Sequence, residues 1–174
     1  MYYYVKAAAA IKAGDLDNAE AYLEGLAGLE MKLNDLNWSE KAKDVMLLEL
    51  KALMHNARGN TDQAVQLLLQ AAEIEYAMPR RFGPPWPPKP SHELLGELLA
   101  DQGEHDAARQ QFKIALSLAK ARSASLLGLA RASAALDQED EARRAYEALA
   151  TNWIAADTKF PALTEARNLT GSTQ

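Results

Sequence analysis

The fold is decided by two stretches that share one pattern at a fixed spacing: LLGELLADQGEHDAARQQFKIAL at 94–116 and GLARASAALDQEDEARRAYEAL at 128–149. Small residues match small residues, and an aromatic residue matches an aromatic residue, at a constant offset of 34 residues. The matching pairs are Gly96 with Ala130, Ala108 with Ala142, and Phe112 with Tyr146. Because small residues let helices approach closely and aromatic rings fill the space between them, the pattern predicts a repeated pair of packed helices.

Residues suited to a tight helix–helix turn lie in the middle of each copy, Gly103 in the first and Asp137 in the second. Two earlier segments follow the same pattern around Gly14 and Gly59. Their small and bulky positions are Ala7, Ala19 and Leu23 in one, and Ala52, Ala64 and Leu68 in the other. The four turns are 45, 44 and 34 residues apart, so the first two hairpins each carry about ten extra residues.

The spacing resembles the tetratricopeptide repeat, a helix-turn-helix unit of 34 residues. The stretches GPPWPPKPSHELLGELL, SLLGLARASAA and FPALTEARNL are also similar to the C-terminal repeat region of a group of bacterial tetratricopeptide-repeat proteins. The resemblance implies an all-α, tetratricopeptide-like helical solenoid of about four helix-turn-helix hairpins with a short C-terminal capping helix. The first two hairpins depart from the family pattern, because Lys6 and Lys51 stand where a large apolar residue is usual.

We expect a single solenoid domain over residues 1–174, since this length suits one continuous core. Its predicted parts are hairpins at about 1–33, 38–77, 91–120 and 122–152, a proline-rich insert at 79–90, and a cap at 161–169. Proline at the first position of the cap suits the first helical turn. A closing helix is expected because a solenoid must cover its last apolar face.

The composition excludes several classes of function. A net charge of -5 without a basic face disfavours nucleic-acid binding. No run of apolar residues is long enough for a membrane span. The start, MYYYVKAAAAIKAGD, is a poor signal peptide, because no basic region precedes its apolar stretch. We expect a cytoplasmic protein if the chain is complete and an exported one if a leader was removed.

No motif in the chain points to catalysis, a cofactor or a metal. The sequence has no cysteine, no glycine-rich phosphate loop and no nucleophile elbow. His92, Glu93 and Glu97 are close together on a predicted helix, but Gly96 stands where a metal-binding helix would place its second histidine. We therefore predict a protein that is not an enzyme and holds no cofactor or metal.

In the tetratricopeptide family, the first helix of each hairpin, helix A, lines a concave groove, and the resemblance implies such a groove here. Transferring the family's groove positions gives the candidate peptide-binding residues Tyr4, Glu49, Leu53, Glu93, Glu97, Asp101, Leu127 and Arg131. The centre of this set is acidic, with apolar residues on both sides. The other interpretation of these acids is ordinary solvated helix surface.

The acids bear on which partner the groove would accept. Chaperone-docking members of the family clamp a terminal carboxylate with basic and amide side chains, whereas this chain has Glu49, Glu93 and Glu97 at those positions. Like charges at short range cost affinity. We therefore predict a non-catalytic protein- or peptide-binding scaffold that favours basic or amphipathic segments over carboxylate tails.

Self-association is the alternative function. Tyr2, Tyr3 and Tyr4 form an aromatic start to the chain, and exposed aromatic patches promote association. In this alternative the chain is a structural module that forms a homo-oligomer through the end faces of its solenoid.

The proline-rich insert has three interpretations. A flexible linker is disfavoured, because Phe82 and Trp86 are costly to leave in water. A ligand for a proline-recognition domain fits the spacing of Arg81, Pro84 and Pro87, but such short patterns arise easily by chance. We favour an ordered insert that is anchored by the two aromatic residues and stiffened by proline, with Ser91 as the N-cap of the next helix.

An ordered insert predicts that Trp86→Ala lowers the thermal unfolding midpoint, because the substitution removes the largest anchoring side chain. The measurement is a thermal melt, paired with limited proteolysis of the folded protein. An unchanged midpoint together with rapid cleavage within 80–90 would contradict the interpretation.

Overall fold

The structure, a computed structural model, describes residues 1–30, 36–79, 87–153 and 161–170. Within these residues the regular structure is entirely α-helical, and successive helices pack as helix-turn-helix hairpins, which confirms the predicted tetratricopeptide-like solenoid. The helices are α1 (Tyr2–Lys12), α2 (Leu16–Ala27), α3 (Leu36–Ala57), α4 (Thr61–Ala77), α5 (Ser91–Asp101), α6 (His105–Leu118), α7 (Ser123–Ala135), α8 (Glu139–Asn152) and α9 (Pro161–Thr170).

By its internal contacts the chain divides into two compact units, Met1–Leu94 and Leu95–Gln174. The first unit contains α1 to α4 and the first turn of α5. The second contains the remainder of α5 and α6 to α9. The observed helices lie within a few residues of the predicted hairpins, while the prediction of a single domain over the whole chain stays a prediction.

The four predicted turns are confirmed by the backbone. Each has one residue in the left-handed region, with φ of 78° at Gly14, 80° at Gly59, 79° at Gly103 and 56° at Asp137. The next residue donates its N–H to the carbonyl oxygen five residues earlier, over 2.9–3.0 Å. This hydrogen bond is typical of a helix C-terminus that is followed by a residue in the left-handed conformation. These bonds join Asp15 to Ala10, Asn60 to His55, Glu104 to Leu99, and Gln138 to Ser133.

The core of the first unit lies where α1, α2 and α3 meet. A central cluster combines Tyr4, Ala7, Leu26, Met46 and Leu50, all of them buried. Tyr4, Ala7 and the half-buried Ile11 follow the helical spacing of one face of α1. That spacing turns the same face of α1 towards α3.

Phe112 is the centre of packing in the second unit. Its ring is buried with an exposed fraction of 1%, against Gly96 of α5 and Gly128 of α7. A Cβ added at Gly128 would lie 2.3 Å from the ring, and one at Gly96 would lie 2.9 Å from it. The glycines therefore let three helices close on one aromatic side chain, which confirms the pattern of small and aromatic residues in the repeats.

The chain closes with α9, as the cap prediction requires. Within the part of α9 whose side chains are described, Ala166 is fully buried in the core cluster that contains Tyr146 and Leu149 of α8. Helix α9 packs along α8 and covers its apolar face.

The proline-rich insert is described only at its two ends, and the predicted anchors Phe82 and Trp86 lie outside the described residues. At its start, the indole N–H of Trp38 in α3 donates to the carbonyl oxygen of Pro79 over 3.2 Å. Near its end, Pro87 is buried. The insert therefore contacts α3 at its start and is buried at Pro87, while its predicted ordering as a whole stays a prediction.

We expect Gly128→Ala to destabilise the protein, because the new methyl group collides with Phe112 and Gly96 behind the ring blocks its retreat. Overpacking costs about 1–3 kcal/mol, which exceeds the gain of up to ~1 kcal/mol from the better helix propensity of alanine. The measurement is the free energy of unfolding in urea.

Gly28→Ala is the matched control, because a Cβ there meets only the Glu24 carbonyl oxygen, at 3.5 Å. Adding Phe112→Leu to Gly128→Ala should recover part of the loss by relieving the collision. Equal stability of the two alanine variants would contradict this packing.

Candidate functional site

The helix A faces of the first unit converge on one carboxyl group, that of Glu49 in α3. Its side chain is fully buried. The Tyr4 hydroxyl of α1 donates to Oε2 over 2.8 Å, and the Ser91 hydroxyl at the start of α5 donates to Oε1 over 2.8 Å. One carboxyl thus joins three helices, and each of its oxygens has a partner of its own.

The local sequence places Glu49 in the core. Met46, Leu50 and Leu53 surround it at the helical spacing of one buried face of α3. A glutamate on such a face is buried whether or not it is charged, so it needs donors from its neighbours. Tyr4 occupies the equivalent face of α1 and supplies one of them.

Burial raises the pKa of the Glu49 carboxyl to about 8. The hydrogen bonds from Tyr4 and Ser91 act in the opposite direction, and so does the charge of Lys89, while the nearby Glu75 adds to the rise. The removal of water outweighs the hydrogen bonds. Glu49 is therefore mostly neutral at pH 7. In this state the carboxyl O–H donates one of the two hydrogen bonds and the other carboxyl oxygen accepts the second.

A side chain of α4 binds the first turn of α5. The backbone N–H of Ser91 donates to Oε2 of Glu75 over 2.7 Å, which places a carboxylate at the positive end of the helix. The prediction of Ser91 as the N-cap is wrong, because Ser91 is already helical and its hydroxyl binds Glu49. Glu93 lies in the first turn as predicted, and it is fully buried.

The predicted groove residues differ widely in exposure. Tyr4, Glu49 and Glu93 are buried; Leu53, Glu97 and Leu127 are half-buried; Asp101 and Arg131 are exposed. Two of the acids that the sequence suggested for the groove surface are therefore inside the protein. The peptide-binding role of all eight residues stays a prediction.

In the second unit, Arg131 is paired. Its guanidinium donates to both carboxylate oxygens of Glu165 in α9, over 3.0 and 2.6 Å, and the Tyr146 hydroxyl donates to the same carboxylate. The guanidinium holds the pKa of Glu165 below its usual range, while burial and the bond to Glu165 raise the pKa of Tyr146. Sequence reasoning missed this pair, although Glu165 follows Arg131 by 34 residues, the repeat spacing.

A second ionic cluster joins α6, α7 and α8 at Glu141. Lys113, Arg109 and Ser133 donate to its carboxylate over 2.7, 3.0 and 3.0 Å. Partial burial alone would raise the pKa of Glu141, but these hydrogen bonds outweigh it and lower the pKa to about 2. The cluster stabilises the packing of the hairpins and was not predicted from the sequence.

Within the described ranges, no group of three histidine or acidic side chains is placed to hold a metal ion. The imidazole of His92 contacts the Tyr76 ring edge-on, with 6.4 Å between the ring centres. No helix in that part of the chain is long and apolar enough to cross a membrane.

Comparisons with known proteins agree with this architecture. The tetratricopeptide-repeat family matches at residues 45–70 and 90–112, each of which spans one of the glycine turns. The solved structure of MamA from AMB-1 is similar over 99% of this chain and 92% of its own, with 17% identity and a TM-score of 0.52. That likeness concerns the fold. No curated protein matches the sequence.

The family match identifies two tetratricopeptide repeats in this chain, and the helical fold is of the tetratricopeptide type. Repeats of this class generally mediate protein–protein interactions and scaffolding, and they are typically non-catalytic.

The raised pKa of Glu49 predicts a pH-dependent stability. A carboxyl that is neutral when folded and ionised when unfolded stabilises the fold fully below pH ~4.5, and this contribution is lost as the pH rises towards ~8. Glu49→Gln removes that dependence while it preserves the shape of the side chain. Between pH 5 and 8, the variant should gain stability over the native protein by up to about 1.4 kcal/mol per pH unit.

The measurement is urea unfolding of both proteins at pH 5, 6.5 and 8. Glu73→Gln makes the same change on the exposed side of α4 and serves as the control. Glu49→Ala should destabilise the fold at every pH, because it leaves the hydroxyls of Tyr4 and Ser91 without their acceptor. Parallel pH profiles for Glu49→Gln and the native protein would refute the burial effect.

Proposed function

We propose that the helix A faces of this protein bind a segment of another protein that carries apolar and basic side chains. The observation that carries the proposal lies in the first unit. There, Ala8, Ile11 and Leu53 stay partly exposed at the helix A positions, beside the buried Glu49 cluster. Partly exposed apolar side chains on a preformed helical face suit the apolar side of an amphipathic segment.

The Glu49 cluster supports this proposal because it fixes the receiving helices before a partner arrives. Tyr4 and Ser91 attach α1 and α5 to α3 through direct hydrogen bonds. A surface that is already ordered loses little conformational entropy on binding, so more of the contact energy contributes to affinity.

The charges of the second unit favour basic groups in the partner. Glu97 and Asp101 of α5 lie at helix A positions, as does the half-buried Leu127 of α7. Arg131, the basic residue among the candidates, is paired with Glu165, which neutralises its charge. A terminal carboxylate bound in this unit would therefore meet the acidic side chains of α5 and a guanidinium that is already paired.

A binding function fits the Glu49 cluster better than a catalytic function does. A carboxyl with a strongly raised pKa is a common feature of active sites. Here Glu49 is fully buried and Tyr4 nearly so, and both oxygens of the carboxyl are engaged. A substrate has no access to such a group, so its role is to hold the helices together.

Titration with two synthetic helices of equal apolar content, one basic and one acidic, tests the proposed function. We expect the basic helix to bind and the acidic helix to bind at least about tenfold more weakly, as expected when one helix meets opposite charge and the other like charge. Leu53→Lys should weaken binding of the basic helix, because it replaces an apolar contact with a like charge, and Asp101→Lys should reverse the preference in the second unit.

Glu73→Lys is the matched control, because it makes a similar charge reversal at an exposed position of α4, which is not a helix A. Preferential binding of the acidic helix would overturn the proposal. Equal effects of Asp101→Lys and Glu73→Lys would also overturn it, since net charge alone would then explain them.

Self-association through an end face is the second candidate function. Exposed tyrosine and valine side chains at the start of α1 favour it, with exposed fractions of 63% for Tyr2 and 53% for Val5. Self-association requires the average mass of the protein in solution to rise with its concentration.

A further inference from the structure

The first hairpin presents an outward surface that its own unit leaves uncovered. On α1 it comprises Tyr2, Val5 and Ala9, which follow the helical spacing of one stripe and are exposed. On α2 it comprises Asp17, Ala21 and Glu24, also exposed and at helical spacing. We call these six residues the tyrosine face.

Tyr2 is exposed but held in place. Its ring meets the Tyr3 ring edge-on at 5.4 Å and the Tyr22 ring edge-on at 6.4 Å, and the Lys6 ammonium lies 5.9 Å from its centre. The Tyr3 ring in turn lies against Gly25 of α2, where even a methyl group would collide with it. An aromatic side chain that is ordered before binding makes an effective anchor for a partner.

The charges on the two helices are separated by sign. Helix α1 contains Lys6 and Lys12 and no acidic residue, whereas α2 contains acidic residues and no basic one. Asp17 and Glu24 of α2 belong to the tyrosine face, while Glu20 is paired with Arg58 of the same chain. The tyrosine face is thus bordered by the basic Lys6 on α1 and carries acidic residues on α2.

We propose that a second copy of this chain docks on the tyrosine face to form a two-fold symmetric dimer, with α1 of each copy lying against α2 of the other. A two-fold interface must be complementary to itself, and a surface with one basic and one adjacent acidic helix meets that condition. Tyr2 and Val5 then cover the small side chain of Ala21 in the other copy, and Lys6 lies beside acidic groups.

Charge also favours this surface over another exposed apolar stripe. Leu69 and Tyr76 of α4 are 43% and 64% exposed and lie seven residues apart. The charged residues of α4 are all acidic, at Asp62, Glu73 and Glu75. A symmetric pair of α4 helices would bring like charges together, which costs affinity. Leu69 therefore provides a matched control.

The inference rests on the self-association candidate and adds to it the face and the symmetry. Sedimentation equilibrium over a wide range of concentrations tests both. We expect the native chain to move from monomer to dimer, Val5→Glu to raise the dissociation constant at least about tenfold, and Leu69→Glu to leave it unchanged. A thermal melt verifies that both variants are folded.

A charge exchange tests the arrangement of the helices. Lys6→Glu should weaken the dimer, and adding Asp17→Lys with Glu24→Lys to the same chain should restore it. A monomer at every concentration would refute self-association and this face together. A dimer that Val5→Glu and Leu69→Glu affect equally, or that the triple exchange fails to restore, would refute this face and leave self-association standing.

Discussion

The tight turn inside each hairpin is the constraint on which the rest of the structure depends. One left-handed residue and one hydrogen bond to the carbonyl five residues back reverse the chain at Gly14, Gly59, Gly103 and Asp137. Because every turn has the same bonding, the two helices of each hairpin leave the turn in the same way. Extra residues must then lie between hairpins, which is where the proline-rich insert occurs.

Carboxyl groups then determine how neighbouring helices are joined, and they do so in opposite charge states. Glu49 is bound by two hydroxyls but is buried, and the loss of water holds it neutral. Glu141 and Glu165 are partly exposed and bound by cations, so they are ionised. Apolar contacts tolerate small shifts between helices, whereas a buried carboxyl with two fixed donors favours one arrangement. A rise in pH is therefore expected to destabilise the first unit by ionising Glu49, and a fall in pH to destabilise the second by protonating Glu141 and Glu165.

Sequence reasoning reached the fold because its signals are local or periodic. Each hairpin carries its own turn residue, the small and aromatic positions of the last two hairpins repeat after 34 residues, and the four turns and the contact of Gly96 with Phe112 are observed. The site was harder, since whether a groove position is exposed depends on partners far away in sequence. Glu49 was assigned to the groove surface by transfer of the family's groove positions, but it lies among apolar residues on a buried face of α3. The bond from Ser91 crosses 42 residues and has no local signal.

Helix α1 contributes to both proposed surfaces, and its two stripes do not overlap. The partly exposed Ala8 and Ile11 belong to the stripe proposed for peptide binding, while Tyr2 and Val5 belong to the tyrosine face. A dimer through the tyrosine face would leave the first stripe open in each copy. Such a dimer offers two equal binding faces, and a partner with two binding segments would be held far more tightly than one with a single segment. Self-association and peptide binding are thus compatible, and the first would strengthen the second.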